Sequence, residues 1–171
     1  MSNKKALIVV DMQNDYLWNR RKKMFSYNTP ELVNAVNSLI SEFSERGDDV
    51  IYVGQVFPNI ITNKWFIGFS IKGTSGAEIY PDVVSDNYFE KNLPNSFTSR
   101  SFKSFVTTKE YSEITVCGLD LCGCVGATAK GAIKTGMAVK LSEAATGCRF
   151  GKEKANRMKK DLISLGVKII K

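Results

Sequence analysis

Cys124 lies in the segment Gly118-Leu-Asp-Leu-Cys-Gly-Cys124-Val-Gly-Ala-Thr-Ala129, and its setting suits a nucleophile. The apolar run 113–117 reads as a buried strand ending at Gly118, and the small residues 123–132 read as a helix packed closely on a sheet. Cys124 therefore falls where a strand hands over to a helix N-terminus. Unpaired backbone N–H groups and the positive end of the helix dipole favour a low-pKa thiolate there. The same N–H groups can hold the oxyanion formed when a thiolate attacks a carbonyl. Free cysteines are also commonly buried as small hydrophobes, so on this segment alone a structural role stands beside the catalytic one.

A cysteine nucleophile needs a base, and the chain contains no histidine. That excludes Ser-His-Asp and Cys-His pairs and every His-ligated zinc site. Asp11 is the alternative acceptor. It directly follows the apolar run Ala6-Leu-Ile-Val-Val10, and open α/β folds place their ligands at the carboxyl edge of such strands. Beside Cys124 it would accept the thiol proton as the sulfur attacks. Lys91, in the short β-type run Tyr88-Phe-Glu-Lys91 before the turn at Pro94, would stabilise the anionic forms of both by its charge. Taken singly, Asp11 could instead cap a turn and Lys91 could be a solvated surface residue.

Four motifs carry a resemblance. Asp11-Met12-Gln13 follows the first strand, and Gly73-Thr-Ser-Gly-Ala-Glu-Ile79 lies farther on. Lys91 is followed by Asn95-Ser-Phe97, and the segment 118–129 surrounds Cys124. In this order they resemble the isochorismatase-like cysteine hydrolases, the family that includes nicotinamidases, N-carbamoylsarcosine amidase and isochorismatase. The likeness runs over about residues 6–145, with Ser75 where the family has proline. The resemblance implies an Asp11, Lys91 and Cys124 triad. It also implies a cis peptide between Leu119 and Asp120, whose turn aims the backbone N–H groups of Asp120 and Cys124 at the substrate. Leu121-Cys122 replaces the family's Thr-Asp, which alters the local hydrogen bonding.

The reaction implied is hydrolysis of a small amide or ureido C–N bond through a Cys124 thioester. Vinyl-ether hydrolysis of isochorismate, which does not need the thiolate, is an alternative, and so is a non-catalytic binding member of the fold. Nicotinamidases carry an Asp-x-His-type metal site after the second strand. Here Val53-Gly-Gln-Val-Phe-Pro-Asn59 has neither residue, so no metal or other cofactor is expected. Thiolate ligation of a metal by Cys117, Cys122, Cys124 and Cys148 lacks a paired CxxC signature. Cys122 is either a buried filler or a resolving thiol for an oxidised Cys124. Tyr16, Trp18, Phe57, Trp65, Phe66 and Phe97 are candidates for an apolar pocket wall, and equally for the core.

The elements that must position these groups are legible. Thr29 reads as an N-cap with Pro30 at the first helical position. Leu32, Val33, Val36, Leu39, Ile40 and Phe43 then recur at helical spacing, and Gly47 stops the helix. Strands are predicted over 50–53, 87–90, 113–117, 137–141 and 167–170, with an irregular stretch and a short helix over 59–76. A last helix over 152–165 carries Ala155, Met158, Leu162 and Leu165 on one face and ends at Gly166. Strands alternating with helices predict a three-layer α/β/α domain with a doubly wound, mostly parallel sheet.

Composition fits one such domain spanning 1–171. No apolar run approaches a membrane span and the N-terminus lacks a signal-peptide core, so a cytoplasmic protein with reduced cysteines and no membrane partner is expected. The net charge of +7 peaks in Arg20-Arg-Lys-Lys23. This run is not interleaved with aromatics as in nucleic-acid binders, so no nucleic-acid partner is expected. It reads as a solvated loop, or as a rim that attracts anionic substrates. The expected partners are a small-molecule substrate and further copies of the chain: relatives commonly self-associate, and the aromatic-rich stretch 65–69 would be costly to leave in water.

Overall fold

The computed structural model describes residues 4–85 and 87–171. Six strands form one sheet in the order β3-β2-β1-β4-β5-β6: β1 (Lys5–Val10), β2 (Asp49–Gln55), β3 (Asn87–Lys91), β4 (Glu113–Gly118), β5 (Ala138–Thr146) and β6 (Lys168–Ile170). Every neighbouring pair is parallel. The chain winds outward from β1 to β3, returns to lay β4 against β1, and then winds the other way. The switch point between β1 and β4 leaves a crevice outside their carboxyl ends, where such folds bind ligands.

Alternation along the buried strands divides the core. In β1, Ala6, Ile8 and Val10 face one layer while Leu7 and Val9 face the other. The first layer is α4 (Arg100–Lys109), α5 (Gly126–Ile133) and α6 (Lys152–Ser164), which contribute Phe102, Val106, Ala129, Ala132 and Leu162. The opposite layer is α2 (Thr29–Glu45), packed through Leu32, Val33, Val36, Ile40 and Phe43. Two short helices, α1 (Asn14–Leu17) and α3 (Ile61–Phe66), lie in the connections. Among the described residues, no helix is long and apolar enough to cross a membrane.

Several elements differ from the sequence expectation. Asn28, not Thr29, is the N-cap of α2, and the Thr29 hydroxyl donates to the Leu17 carbonyl at 2.9 Å, fastening α2 to α1. Helix α4 escapes a reading by composition because it is largely polar; only Phe102, Phe105 and Val106 mark its inner face. Leu165 is exposed, so α6 is anchored chiefly by Leu162. Strand β5 runs on to Thr146 because the register shifts beyond Val116 and Gly118 then pairs with Thr146. That extension carries Gly147, Cys148 and Arg149 to the carboxyl edge beside Cys124's turn.

Candidate active site

Three strand ends supply the charged groups. Asp11 follows β1 with φ 53°, in the left-handed region that aspartate tolerates better than most residues. Its N–H donates to the Val53 carbonyl at 2.9 Å, tying it to β2. Lys91 ends β3, in register with Gln55 at the end of β2. Its side chain is wholly buried, and Nζ lies 3.0 Å from Asp11 Oδ1. The lysine donates to Asp11 Oδ2 at 3.1 Å and to Gln55 Oε1 at 2.8 Å. Both carboxylate oxygens of Asp11 therefore lie against the Lys91 ammonium.

Cys124 arrives from β4. Gly118, at φ 103°, makes the approach possible: a Cβ there would stand 2.2 Å from the Val10 carbonyl oxygen. The Leu119–Asp120 peptide bond is cis. The helix expected over 123–132 is in fact two pieces. A wide turn, Leu121–Val125, contains Gly123 with non-helical φ −128° and ψ −117°, and α5 starts only at Gly126. Cys124 thus sits two residues before the regular helix, with its Sγ 4.0 Å from Gln55 Oε1 and within the electrostatic influence of Asp11 and Lys91.

This setting corrects the expected low-pKa thiolate. Burial pushes the Cys124 thiol well above the ordinary cysteine range; the Asp11 carboxylate adds to the rise and the Lys91 ammonium only partly opposes it. The resting sulfur is a thiol, beside the Asp11 carboxylate that Lys91 holds. Such a pair holds a proton that can be passed when an electrophile arrives.

The aligned motifs outside the triad are braces. Gln13 Nε2 donates to the carbonyls of Gln55 (3.0 Å) and Ala77 (2.6 Å), while its Oε1 accepts from Gln55 N–H at 2.9 Å. It thereby fixes the end of β2 against the 73–79 stretch. The Ser96 N–H donates to the Thr128 hydroxyl at 3.1 Å, anchoring the segment after Lys91 to α5.

A cavity of about 410 Å³ opens over Asp11, Gln55 and Cys124. Its walls include Tyr16, Phe57, Phe25, Phe69, Leu93 and Arg149. Four other pocket candidates lie elsewhere. Trp18 lies under the Arg20 guanidinium, 3.7 Å from its ring centroid. Trp65 is 83% exposed on α3, and Phe97 is buried in the core, 5.1 Å from Phe102 between ring centroids. Phe66, beside Trp65, is 88% exposed.

Gln55, Phe25, Tyr27 and Arg149 were not singled out in the sequence. Gln55 had a signal, since a polar residue closing a buried strand mirrors Asp11 closing β1. The basic run turns out to shape the wall. Arg21 donates to the carbonyls of Leu17 (3.1 Å), Trp18 (3.0 Å), Phe25 (2.6 Å) and Tyr27 (3.0 Å), folding the loop that delivers Phe25 and Tyr27. Arg149 stacks 5.4 Å from the Phe25 centroid, and its Nε is buried with no hydrogen-bond partner. Asp120 turns its carboxylate away from the nucleophile, accepting from Tyr27 OH at 3.0 Å, Arg149 N–H at 2.7 Å and Cys122 N–H at 2.9 Å.

Comparison with known proteins agrees with this fold. An isochorismatase-family protein of Bacillus subtilis, YddQ, itself uncharacterised, is 29% identical over 141 residues, covering 81% of this chain and 74% of its own. The fold matches the pyrazinamidase of Pyrococcus horikoshii solved with zinc, at TM-score 0.83 and 23% identity over 98% of this chain and 99% of that one. It also matches N-carbamoylsarcosine amidase from Thermoplasma acidophilum, at TM-score 0.82 and 22% identity over 97% and 95% of the two chains. The isochorismatase domain model matches residues 5–168, and the chain belongs to that family of hydrolases.

Proposed function

We propose that the protein hydrolyses a small amide or ureido C–N bond through a Cys124 thioester. The observation that carries this reading is the buried Asp11 carboxylate, paired with Lys91 and lining the same cavity as Cys124. As Sγ attacks the substrate carbonyl, Asp11 takes its proton. The backbone N–H groups of Asp120 and Cys124 receive the oxyanion. Asp11 then returns the proton to the departing nitrogen as the C–N bond breaks. Water, deprotonated by Asp11, attacks the thioester; the acid leaves, and the proton goes back to sulfur. Lys91 stabilises the negative charge that shuttles between carboxylate and sulfur.

The cavity supports a small, partly apolar substrate with at least one acceptor group. Tyr16, Phe25, Phe57 and Phe69 supply the apolar wall, while Arg149 Nε and Gln55 Nε2 are buried donors without protein partners. The zinc of the Pyrococcus pyrazinamidase does not fit these donors. The chain has no histidine, and the carboxylates at the cavity, Asp11 and Asp120, already serve Lys91 and Tyr27.

We further read the chain as a homo-oligomer, because α3 leaves Ile61, Trp65 and Phe66 largely in water. Turnover of a panel of small primary amides, carbamoyl compounds and isochorismate by wild type and Cys124→Ala tests the catalytic reading. C–N hydrolysis that disappears in the variant is the expected result. Undiminished C–N hydrolysis in Cys124→Ala would refute the thioester, and isochorismate turnover that survives the substitution would transfer the case to vinyl-ether chemistry.

A further inference from the structure

The sulfur nearest Cys122 among the described contacts is that of Cys148, not of Cys124. The Cys122 Sγ lies 3.8 Å from Cys148 Sγ, across 26 residues of chain. Cys124 points the other way, toward Asp11, Lys91 and Gln55. Non-helical Gly123 separates the two directions.

The backbones on either side of the sulfur pair are clamped together. Leu121 N–H donates to the Gly147 carbonyl at 2.9 Å, and Gly147 N–H to the Gly118 carbonyl at 2.9 Å. Asp120 then bridges both strands, accepting from Cys122 N–H at 2.9 Å through Oδ1 and from Arg149 N–H at 2.7 Å through Oδ2. Both cysteines are only partly buried, so a small reagent can reach them. Forming an S–S bond of about 2.05 Å from this separation asks for a shift of under about 2 Å, within the range of side-chain rotation.

Asp120, Cys122 and Cys148 have ligand atoms within 4.8 Å of one another, which also raises a metal. The carboxylate is already engaged by Tyr27 and two backbone N–H groups. Two sulfurs without a free third donor suit a covalent bond better than a metal site.

We propose that Cys122 and Cys148 form a reversible disulfide by exchange with low-molecular-weight disulfides, fastening the nucleophile's turn to the loop that carries Arg149. One protein thiolate attacks the small disulfide, forms a mixed disulfide and expels one small thiolate. The second protein thiolate attacks the protein sulfur of that mixed disulfide, closes the Cys122–Cys148 bond and expels the other. Two protein thiols and one small disulfide become one protein disulfide and two small thiols, the two protons passing to the departing thiolates. Burial, with Cys148 adding to the rise, pushes the Cys122 thiol up to about 12, so exchange is slow at neutral pH and speeds up with alkalinity. The nucleophile takes no part, so the device does not depend on the proposed reaction.

The test is equilibration of the full-length protein with oxidised glutathione at mildly alkaline pH, followed by acid quench, thiol titration under denaturing conditions and non-reducing peptide mapping. Titratable thiols should fall from four to two, with one crosslink joining the peptides that contain Cys122 and Cys148. Dithiothreitol should restore all four. Cys124→Ala should form the same crosslink, whereas Cys122→Ser and Cys148→Ser should stop at a mixed disulfide. A Cys122–Cys124 crosslink in wild type, persistent glutathione adducts on both Cys122 and Cys148, or four unreacted thiols would each overturn the proposal. Mapping on wild type keeps the test valid even if a serine variant folds poorly.

Discussion

Gln55 and Lys91 stand opposite each other at the carboxyl ends of β2 and β3, and the lysine Nζ donates to the glutamine Oε1 at 2.8 Å. The same Oε1 lies 4.0 Å from Cys124 Sγ. One side chain therefore links the ammonium to the nucleophile, and Gln13 holds the backbone of that residue on both its N–H and its carbonyl. The lysine is fixed toward Asp11 by strand register rather than by a loop. A site built on strand ends in this way holds its charged groups without reorganisation as charge moves.

Asp11→Asn tests the base. The substitution keeps the shape, removes the proton acceptor and leaves the buried Lys91 charge with only Gln55. C–N hydrolysis should fall by roughly 10²–10⁴-fold, and stability should drop by about 3 kcal/mol as the buried pair is broken. Turnover measured where circular dichroism shows the variant fully folded separates the two effects. Wild-type turnover in a folded Asp11→Asn variant would remove Asp11 from the mechanism.

The resting thiol makes a second prediction, about alkylation. Because burial and the Asp11 carboxylate push Cys124 upward, the thiolate is scarce at neutral pH. Iodoacetamide should label Cys124 more slowly at pH 7 than a free thiol of ordinary pKa near 8.5, and the rate should keep climbing through pH 9–10 without a plateau. Site-resolved mass spectrometry across pH reports this directly. A plateau near pH 6 would mean a preformed thiolate and would make Asp11 unnecessary as the acceptor.

Most of this site was readable from residues because each charged group closes a strand. Asp11 after β1 and Lys91 at the end of β3 needed only the strand pattern and the family likeness. The thiol's ionisation was misjudged because the helix terminus is a local feature, whereas the desolvation and the carboxylate that outweigh it come from β1, distant in sequence. The cavity wall was legible only in part for a similar reason. Phe25 and Tyr27 reach it through four carbonyl bonds to Arg21, and Arg149 through a register shift in β5; neither leaves a periodic trace. Trp65 and Phe97 have the composition of pocket residues, and only packing separates them from one.

Alkaline stability follows from the buried acids. Burial is the leading cause that raises Tyr16, Tyr27, Tyr111 and the Cys117 thiol well above their usual ranges. These groups are neutral in both states below about pH 8, so they carry no penalty there. Above their unfolded values, roughly 8.5 for cysteine and 10 for tyrosine, the unfolded chain releases protons that the folded chain retains. Stability must then fall as pH rises. Urea midpoints should be level from pH 7 to 8 and decline beyond pH 9. A midpoint unchanged up to pH 11 would contradict the buried, neutral state of these side chains.

Self-association rests on α3. Ile61, Trp65 and Phe66 are 72%, 83% and 88% exposed, and none of them belongs to either core cluster. Adjacent large apolar side chains on one six-residue helix form a patch of the kind that isolated folded chains rarely leave in water. If a second copy covers it, light scattering at micromolar concentration should give a multiple of the 19.0 kDa chain mass. Trp65→Ser together with Phe66→Ser should shift that mass toward one chain. The side chains lie outside the catalytic cavity, so the variant's own fold should persist, with an unchanged far-ultraviolet spectrum. A wild-type protein that scatters as a single chain would refute the oligomer outright. An oligomer indifferent to both substitutions would place the interface elsewhere and leave α3 to another role.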